Sequence, residues 1–376
     1  MSLALTAQQT HSLRLRSQRL LFINERPPTS PSQVLEGIAG VQAQDLPAAQ
    51  LSLRVRSAGL TAAMVDQALQ EERSIVWTWC MRGTLHLVAA EDAGWLVSLL
   101  GSIFIAAGRC RLENLGWDEA RPARGLRLLL DALAERGGLT RSEIAGLLKE
   151  NGLPNEGQAP LHLLYRASLE GNLCLGPNRG KKPTYVLSEV WIGKPPPLSR
   201  PQALERIAAR YLDAYCPAGP ADLAGWSGLK LTEARQAFQL ITDQLVQVES
   251  VVQPAWMLKS HLPRLDEPLG SAPVVWLLPR FDTFLLGYAN RDLVLDPACA
   301  KFGHPGGGII HPVLLVDGKA IGTWETKRRK AILEIRLRPF IMLPGKLLPL
   351  IEAEVAELAR LLGEEAVLTR ENPSRA

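Results

Sequence analysis

Segments whose apolar positions recur at helical spacing alternate along this chain with short runs rich in β-branched and aromatic residues. The run from Pro31 (Pro-Ser-Gln-Val-Leu-Glu-Gly-Ile-Ala-Gly-Val) predicts a helix, with Ser30 as its N-cap and Pro31 at its first position. Gly40 loosens that helix, and Pro47 opens a second amphipathic run ending in Arg54 and Arg56. Thr61 to Arg73 predicts another helix, capped by Thr61. Ser74 to Ala90 then reads as two strands about a tight turn at Arg82-Gly83.

The same order returns twice. Arg124 to Arg136 predicts a helix ended by Gly137-Gly138, and Thr140 with Glu143 has the spacing of a capping box at the start of the next. A helix over Ala159 to Gly171 follows, then strands at Leu173 to Gly176 and Thr184 to Leu187 flanking a basic loop. After Pro195-Pro196-Pro197, a stiff linker, helices are predicted at Ala203–Tyr215, around 219–229 and at Thr232–Gln244, with a strand over Leu245 to Val252. Helices followed by a β-wing, three times over, predict tandem winged-helix units over residues 1–107, 108–195 and 196–262. From about Pro263 the texture turns to β, with Asp317-Gly318 a hairpin signal between apolar alternations. A helix over Leu347 to Leu362 closes this fourth unit, residues 263–376, and the tail after Arg370 is expected to fray. The fold class is α+β.

Composition narrows the partners. Lys and Arg number 42 against 38 Asp and Glu, a formal charge of +4, which permits a nucleic acid without demanding one. Five scattered cysteines, with no Cys-x-x-Cys, fit neither a disulfide framework nor a cysteine metal site and suit a reducing cytosol. No charged start leads into an apolar core, so no signal peptide is expected. The longest apolar run, Ala93 to Gly108, is broken by Gly94, Ser98, Gly101 and Ser102 and falls short of a bilayer span. A buried helix is expected there, and no membrane partner.

Gln42, Gln44 and Asp45 form a polar knot between apolar segments, and polar groups so placed must find partners or be put to use. One reading is local: they cap the next helix and tie a turn. The other is an active site that positions a water molecule.

Four stretches carry a family resemblance: Gly40-Val-Gln-Ala-Gln-Asp, Met81-Arg-Gly-Thr-Leu-His-Leu-Val, Leu278-Pro-Arg-Phe-Asp-Thr-Phe-Leu-Leu-Gly-Tyr-Ala-Asn-Arg291 and Val316-Asp-Gly-Lys-Ala-Ile-Gly-Thr-Trp324. Together, in this order, they resemble the AlkZ-like winged-helix DNA glycosylases over nearly the whole chain. The resemblance implies three tandem winged-helix units and a C-terminal β-domain, C-shaped overall and curved around duplex DNA. It implies hydrolysis of the N-glycosidic bond of alkylated purines, including some interstrand cross-links. The family signature is Gln, an apolar residue, then Gln or Asp. Gln42-Ala43-Gln44 fits the Gln branch, which makes Gln42 and Gln44 the candidate catalytic pair. It further implies that the loop Phe302-Gly-His-Pro-Gly-Gly-Gly308, beside Lys301, matches the hairpin that probes the minor groove; a plain glycine-rich turn is the alternative.

The chemistry is consistent with those residue types. Glycosidic hydrolysis passes through an oxocarbenium-like state with a water held on the open face of the sugar. Alkylation at N3 or N7 makes the purine cationic and a good leaving group, which removes the need for a general acid. Two carboxamide oxygens then suffice to orient the water and lend partial negative charge, although neither accepts its proton as a strong base would. Cationic lesions are therefore expected to be cleaved in preference to intact purines.

Other residues are candidates in supporting roles. Asp45 is either a carboxylate acting on the reaction or a helix cap. Arg82, at the hairpin bend, is placed to reach a phosphate or the lesion, and His86 is either catalytic support or a satisfied histidine bracing the first wing. Arg54, Arg56, Arg179, Lys181, Lys182 and Arg291, with Lys301 and His304, are the expected DNA contacts, of the kind that gives affinity without sequence preference. Lys327 to Lys330 reads as a solvated strand edge or a DNA contact. Trp77 and Trp79, two apart on one strand, read as core. No metal spacing is present, and neither metal nor cofactor is expected. The expected partner is double-stranded DNA with alkylated bases, met by a monomer in the cytoplasm at the nucleoid. A competing reading, a non-catalytic winged-helix regulator, explains the repeats but needs neither the glutamine pair nor the large β-domain; a β-domain serving as a protein-interaction module is a third.

Overall fold

The computed structural model describes residues 3–23, 25–118, 120–194, 196–249, 254–265, 267, 272–329 and 332–373. Apart from the two-residue strands Val41–Gln42 and Leu139–Thr140, three stretches each run helix, helix, helix, strand, strand. The first is Pro31–Ile38, Leu46–Arg54, Ala62–Gln70, Ile75–Trp79 and Leu85–Ala89. The second is Arg121–Arg136, Arg141–Glu150, Ala159–Leu169, Leu173–Arg179 and Lys182–Leu187. The third is Arg200–Tyr215, Pro220–Ser227, Leu231–Leu240, Leu245–Glu249 and Pro254–Leu258. Local chemistry starts these helices where the sequence predicts. The Ser30 hydroxyl accepts from the Gln33 amide, Thr61 from Met64, and Thr140 with Glu143 closes a full capping box.

The strands assemble across those stretches. Residues of the first two share a six-stranded sheet, in the order Val41–Gln42, Leu85–Ala89, Ile75–Trp79, Leu173–Arg179, Lys182–Leu187, Leu139–Thr140. The loop expected over Pro177 to Pro183 is largely strand, because Asn178 pairs with Pro183 and Arg179 with Lys182, leaving Gly180 and Lys181 as the turn. The third pair accepts Leu3–Ala4 as a parallel neighbour of Leu245–Glu249, so the N-terminal residues belong spatially to the third stretch. Residues 250–252 of the strand expected to run to Val252 lie outside the described residues, as do Pro195 of the linker and Lys330 of the basic run.

The expected boundary between 107 and 108 falls inside a single helix, Ala90–Asn114. Its 25 residues are long and apolar enough to cross a membrane. Its first half instead packs on the helix Arg200–Tyr215, where buried Asp92 is ion-paired with Arg206 and Arg210.

The C-terminal residues form a five-stranded sheet, Val275–Leu278, Val313–Val316, Lys319–Arg329, Ile332–Pro339 and Glu365–Arg370, with the helix Leu348–Leu362 against it. Asp317 and Gly318, both at positive φ, make the predicted two-residue hairpin turn. Beyond the closing helix the sequence reading missed a strand, Glu365–Arg370, which runs parallel to Ile332–Pro339; residues 374–376 of the tail expected to fray lie outside the described residues. The helices Pro31–Ile38 and Leu46–Arg54 bury Val34, Leu35, Ile38, Ala49 and Leu53 in one core with Leu277, Leu314, Ile335, Ile351 and Leu358 of this sheet and helix. Each of the Val, Leu and Ile side chains contributes roughly 1.5–3 kcal/mol by leaving water. The N-terminal helices are therefore fixed to the C-terminal sheet, and the Gln42–Asp45 segment lies at that seam.

Candidate active site

The helix Pro31–Ile38 ends with Ala39 in the left-handed region, and Gly40 follows at φ +105. A side chain at Gly40 would meet Val88 Cγ1 at 2.9 Å and the Leu87 carbonyl at 3.1 Å, so only glycine lets the chain turn here against the neighbouring strand. Val41–Gln42 then pairs antiparallel with Leu85–Ala89, Gln42 opposite His86, and the Ala43 amide extends the ladder to the Leu85 carbonyl. Strand alternation does the rest. Val41 and Ala43 are buried, while Gln42 is half-buried and Gln44 exposed on the opposite face. The Trp77 indole donates to the Ala43 carbonyl at 3.0 Å and clamps the segment from below.

On that face Gln42 Nε2 donates to Gln44 Oε1 at 2.8 Å. Arg82 Nη2 donates to Gln42 Oε1 at 3.0 Å, and Arg82 Nη1 to the Trp226 carbonyl. Arg82 reaches this position because its backbone sits at φ +54 in the bend before Gly83. Glycine suits position 83 because its φ is +65, in the left-handed region, and a Cβ there would also approach the Tyr165 hydroxyl to 2.5 Å. Burial lowers the Arg82 pKa from its ordinary value, and the like charge of Arg291 adds to the shift.

His86 is the buried support of Arg82. Its Nδ1 is 2.9 Å from the Thr84 carbonyl, which can only accept, so Nδ1 carries the proton and Nε2 is left as an acceptor 3.4 Å from Arg82 Nη2. Burial, followed by the Arg82 charge, pushes the imidazole down to about 3. A histidine held neutral and 1% exposed does not serve as an acid at neutral pH. Asp45 caps the helix Leu46–Arg54, its Oδ1 accepting from the Ala48 amide at 3.2 Å, while Oδ2 faces Arg280 at 3.5 Å.

Two expected DNA contacts are corrected. Arg54 is buried and forks onto the Glu354 carboxylate at 2.8 and 3.3 Å. Arg56 is wholly buried and forks onto Asp282 at 2.7 and 2.8 Å, with further bonds to Gln18 and Ser52. Both guanidiniums fix the N-terminal helices to the C-terminal residues; a buried cation needs a partner of this kind, and neither has a face left for phosphate. Arg179 is exposed but held by Glu143 and the Gly138 carbonyl. Lys181 and Lys182 are exposed at the turn.

Arg291 is half-buried, its Nε donating to the Leu285 carbonyl at 2.8 Å. Lys301 is exposed and lies over the Phe302 ring. His304 Nδ1 bonds the Ile309 carbonyl at 2.8 Å, and a Gly306–Ile309 bridge closes that loop. Trp79 is core, stacked on Tyr185. Among the described residues no group of three His, Cys, Asp or Glu side chains is arranged to hold a metal ion.

Sequence reasoning missed Arg280, although it lies inside a quoted motif, and the Trp226 carbonyl that holds Arg82. Arg280 follows a strand and reads as an ordinary surface residue until the fold sets it beside Asp45.

Comparison with known proteins identifies the chain's relatives. The sequence model of the family described as DNA glycosylase AlkZ-like matches residues 35–361. A curated relative from Streptomyces sahachiroi, named interstrand DNA cross-link repair glycosylase, is 29% identical over 377 residues, spanning 95% of this chain and 96% of that one. The solved structure of the Streptomyces sahachiroi DNA glycosylase AlkZ superposes with a TM-score of 0.81 at 26% identity, covering 98% of this chain and all of that one.

Proposed function

This chain belongs to the AlkZ-like DNA glycosylase family, whose members act on N-glycosyl bonds in DNA, and from that premise we propose that it hydrolyses the bond to cationic N3- or N7-alkylated purines with a water held by Gln42 and Gln44. The observation that carries the reading is the 2.8 Å contact between the two amides, on a strand face where Gln44 is open to solvent. One lone pair of Gln44 Oε1 is taken by Gln42, and the second accepts a hydrogen from the water. The water oxygen then bonds to C1′, the C1′–N bond breaks, and its electron pair neutralises the cationic base. The water proton leaves to solvent, which accounts for the absence of a strong base from the pair. Partial negative charge on the amide oxygens offsets the charge that develops on the sugar.

On this reading the three helix-and-strand stretches are winged-helix units, and the whole chain forms a C-shaped clasp. Exposed Lys181, Lys182 and Lys301 meet phosphates, and His304 sits in the loop that enters the minor groove. The relative named for interstrand cross-link repair makes cross-linked duplex the second substrate to test. The regulator reading stated above has no observation in its favour beyond the repeated helices.

The test is direct. A duplex carrying N7-methylguanine is incubated with the protein and treated with alkali. Strand breakage at the lesion, absent from an undamaged duplex and well above that of the lesion duplex treated without protein, is expected; breakage no greater than in that protein-free control sinks the proposal.

A further inference from the structure

We propose that Arg280 is a ligand for the DNA phosphodiester next to the lesion and that Asp45 holds it in waiting until DNA arrives. This rests on the glycosylase reading of the Gln42–Gln44 site.

Arg280 stands on a rigid base. The strand Val275–Leu278 leads into buried Pro279, and Phe281 follows at φ +57, its amide bonded to the Ile310 carbonyl. Asp282 is then locked by the wholly buried Arg56 and by the Ser52 hydroxyl at 2.7 Å. Buried residues therefore hold the backbone of Arg280 on both sides, while its side chain remains 48% exposed.

The contact it makes is weak. Arg280 Nη1 lies 3.5 Å from Asp45 Oδ2, longer than the 2.7–2.9 Å of a strong charge-assisted bond. Its guanidinium carbon also lies 4.8 Å from the centroid of the Phe281 ring. A half-exposed pair of this length stabilises little and exchanges readily for a phosphate, whose paired oxygens suit the guanidinium fork. Asp45 follows Gln44 in the chain, so a phosphate held by Arg280 sits beside the exposed amide.

The exchange has a second effect. Asp45 keeps its cap through Oδ1, but Oδ2 loses its counter-cation once Arg280 turns to DNA. A full negative charge then stands unneutralised beside the sugar as the oxocarbenium forms. Arg280 is thus a binding residue, and it positions the charge of Asp45 by releasing it.

The experiment measures two quantities on an N7-methylguanine duplex: the dissociation constant across a salt series, and the single-turnover rate at saturating protein. Arg280→Ala is expected to weaken binding about tenfold and to lower the slope of log K against log salt by about one. Asn caps a helix as well as Asp does, so Asp45→Asn folds. It is expected to tighten binding up to about fivefold while lowering the saturating rate. In the Arg280→Ala, Asp45→Asn double variant the tightening should vanish, because it reports the competition for Arg280. Wild-type affinity and salt slope in Arg280→Ala overturn the proposal, as does tightening that persists in the double variant. A saturating rate unchanged in Asp45→Asn overturns the second effect. The binding measurements do not depend on catalysis, so a wild-type protein that binds yet releases no base refutes the glycosylase reading and leaves the phosphate assignment standing on its own data.

Discussion

Arg82 Nη2 stands 3.0 Å from Gln42 Oε1, and that one contact decides which way two amides face. A guanidinium only donates. Gln42 must therefore turn its oxygen to Arg82, so its NH₂ faces Gln44 and Gln44 must answer with its own oxygen at 2.8 Å. The Trp226 carbonyl and the neutral His86 fix Arg82 in turn.

Arg82→Met keeps the length of the stem and removes every donor. We predict a loss of roughly 10²-fold in the single-turnover rate of base release, because the amide pair loses its fixed orientation. Arg82→Lys restores charge without the fork and should recover only part of it. A thermal melt beside the kinetics separates misfolding from misorientation, and an Arg82→Met rate within a factor of two of wild type defeats the prediction.

Gln42 and Gln44 act as a unit, so their losses should not add. Gln42→Ala and Gln44→Ala are each predicted to cost roughly 10²-fold in single-turnover rate, and the double variant little more than the worse single one. Multiplicative losses would show that the two amides work independently. Neither substitution removes a charge, so duplex affinity should stay near wild type in both.

Legibility from sequence followed locality. The caps at Ser30, Thr61 and Thr140 depend on residues three positions apart, and each forms as its spacing predicts. The Asp317-Gly318 turn is equally local. Arg54 and Arg56 show the opposite case. At the end of an amphipathic helix they resemble phosphate ligands, and only the fold reveals carboxylates 300 and 226 residues away. The strand Glu365–Arg370 was illegible for a related reason, since it takes its backbone partners from Ile332–Pro339 and its own sequence marks no turn. Within the site, the pair Gln42 and Gln44 was legible as a motif. Their shared face was not, because a two-residue strand shows no periodicity until Leu85–Ala89 pairs with it.

His86 gives the fold a dependence on pH. Its folded-state pKa, about 3, lies below the unfolded value of about 6.5, so between those limits the unfolded chain binds more protons. Stability from this group is complete above pH 6.5 and falls as pH drops toward 3, with a slope approaching 1.4 kcal/mol per pH unit. Denaturant melts between pH 7 and 4 should show that slope, reduced in His86→Gln. A His86→Gln protein with an unchanged slope assigns the dependence to other groups.

Arg56 and Asp282 carry the last prediction, which separates anchoring from DNA binding. Both side chains are fully buried and joined by two bonds of 2.7 and 2.8 Å. Removing one partner leaves a buried charge uncompensated, a loss of about 3–5 kcal/mol. Arg56→Met should therefore lower the denaturation midpoint strongly. The double variant Arg56→Met, Asp282→Leu removes the stranded carboxylate and should recover part of the loss. At low temperature, where the single variant remains folded, the salt dependence of its duplex binding should match wild type, since no phosphate contact has been removed. A phosphate ligand would behave in the opposite way, with an unchanged midpoint and a salt slope reduced by about one; that outcome would return Arg56 to the DNA interface.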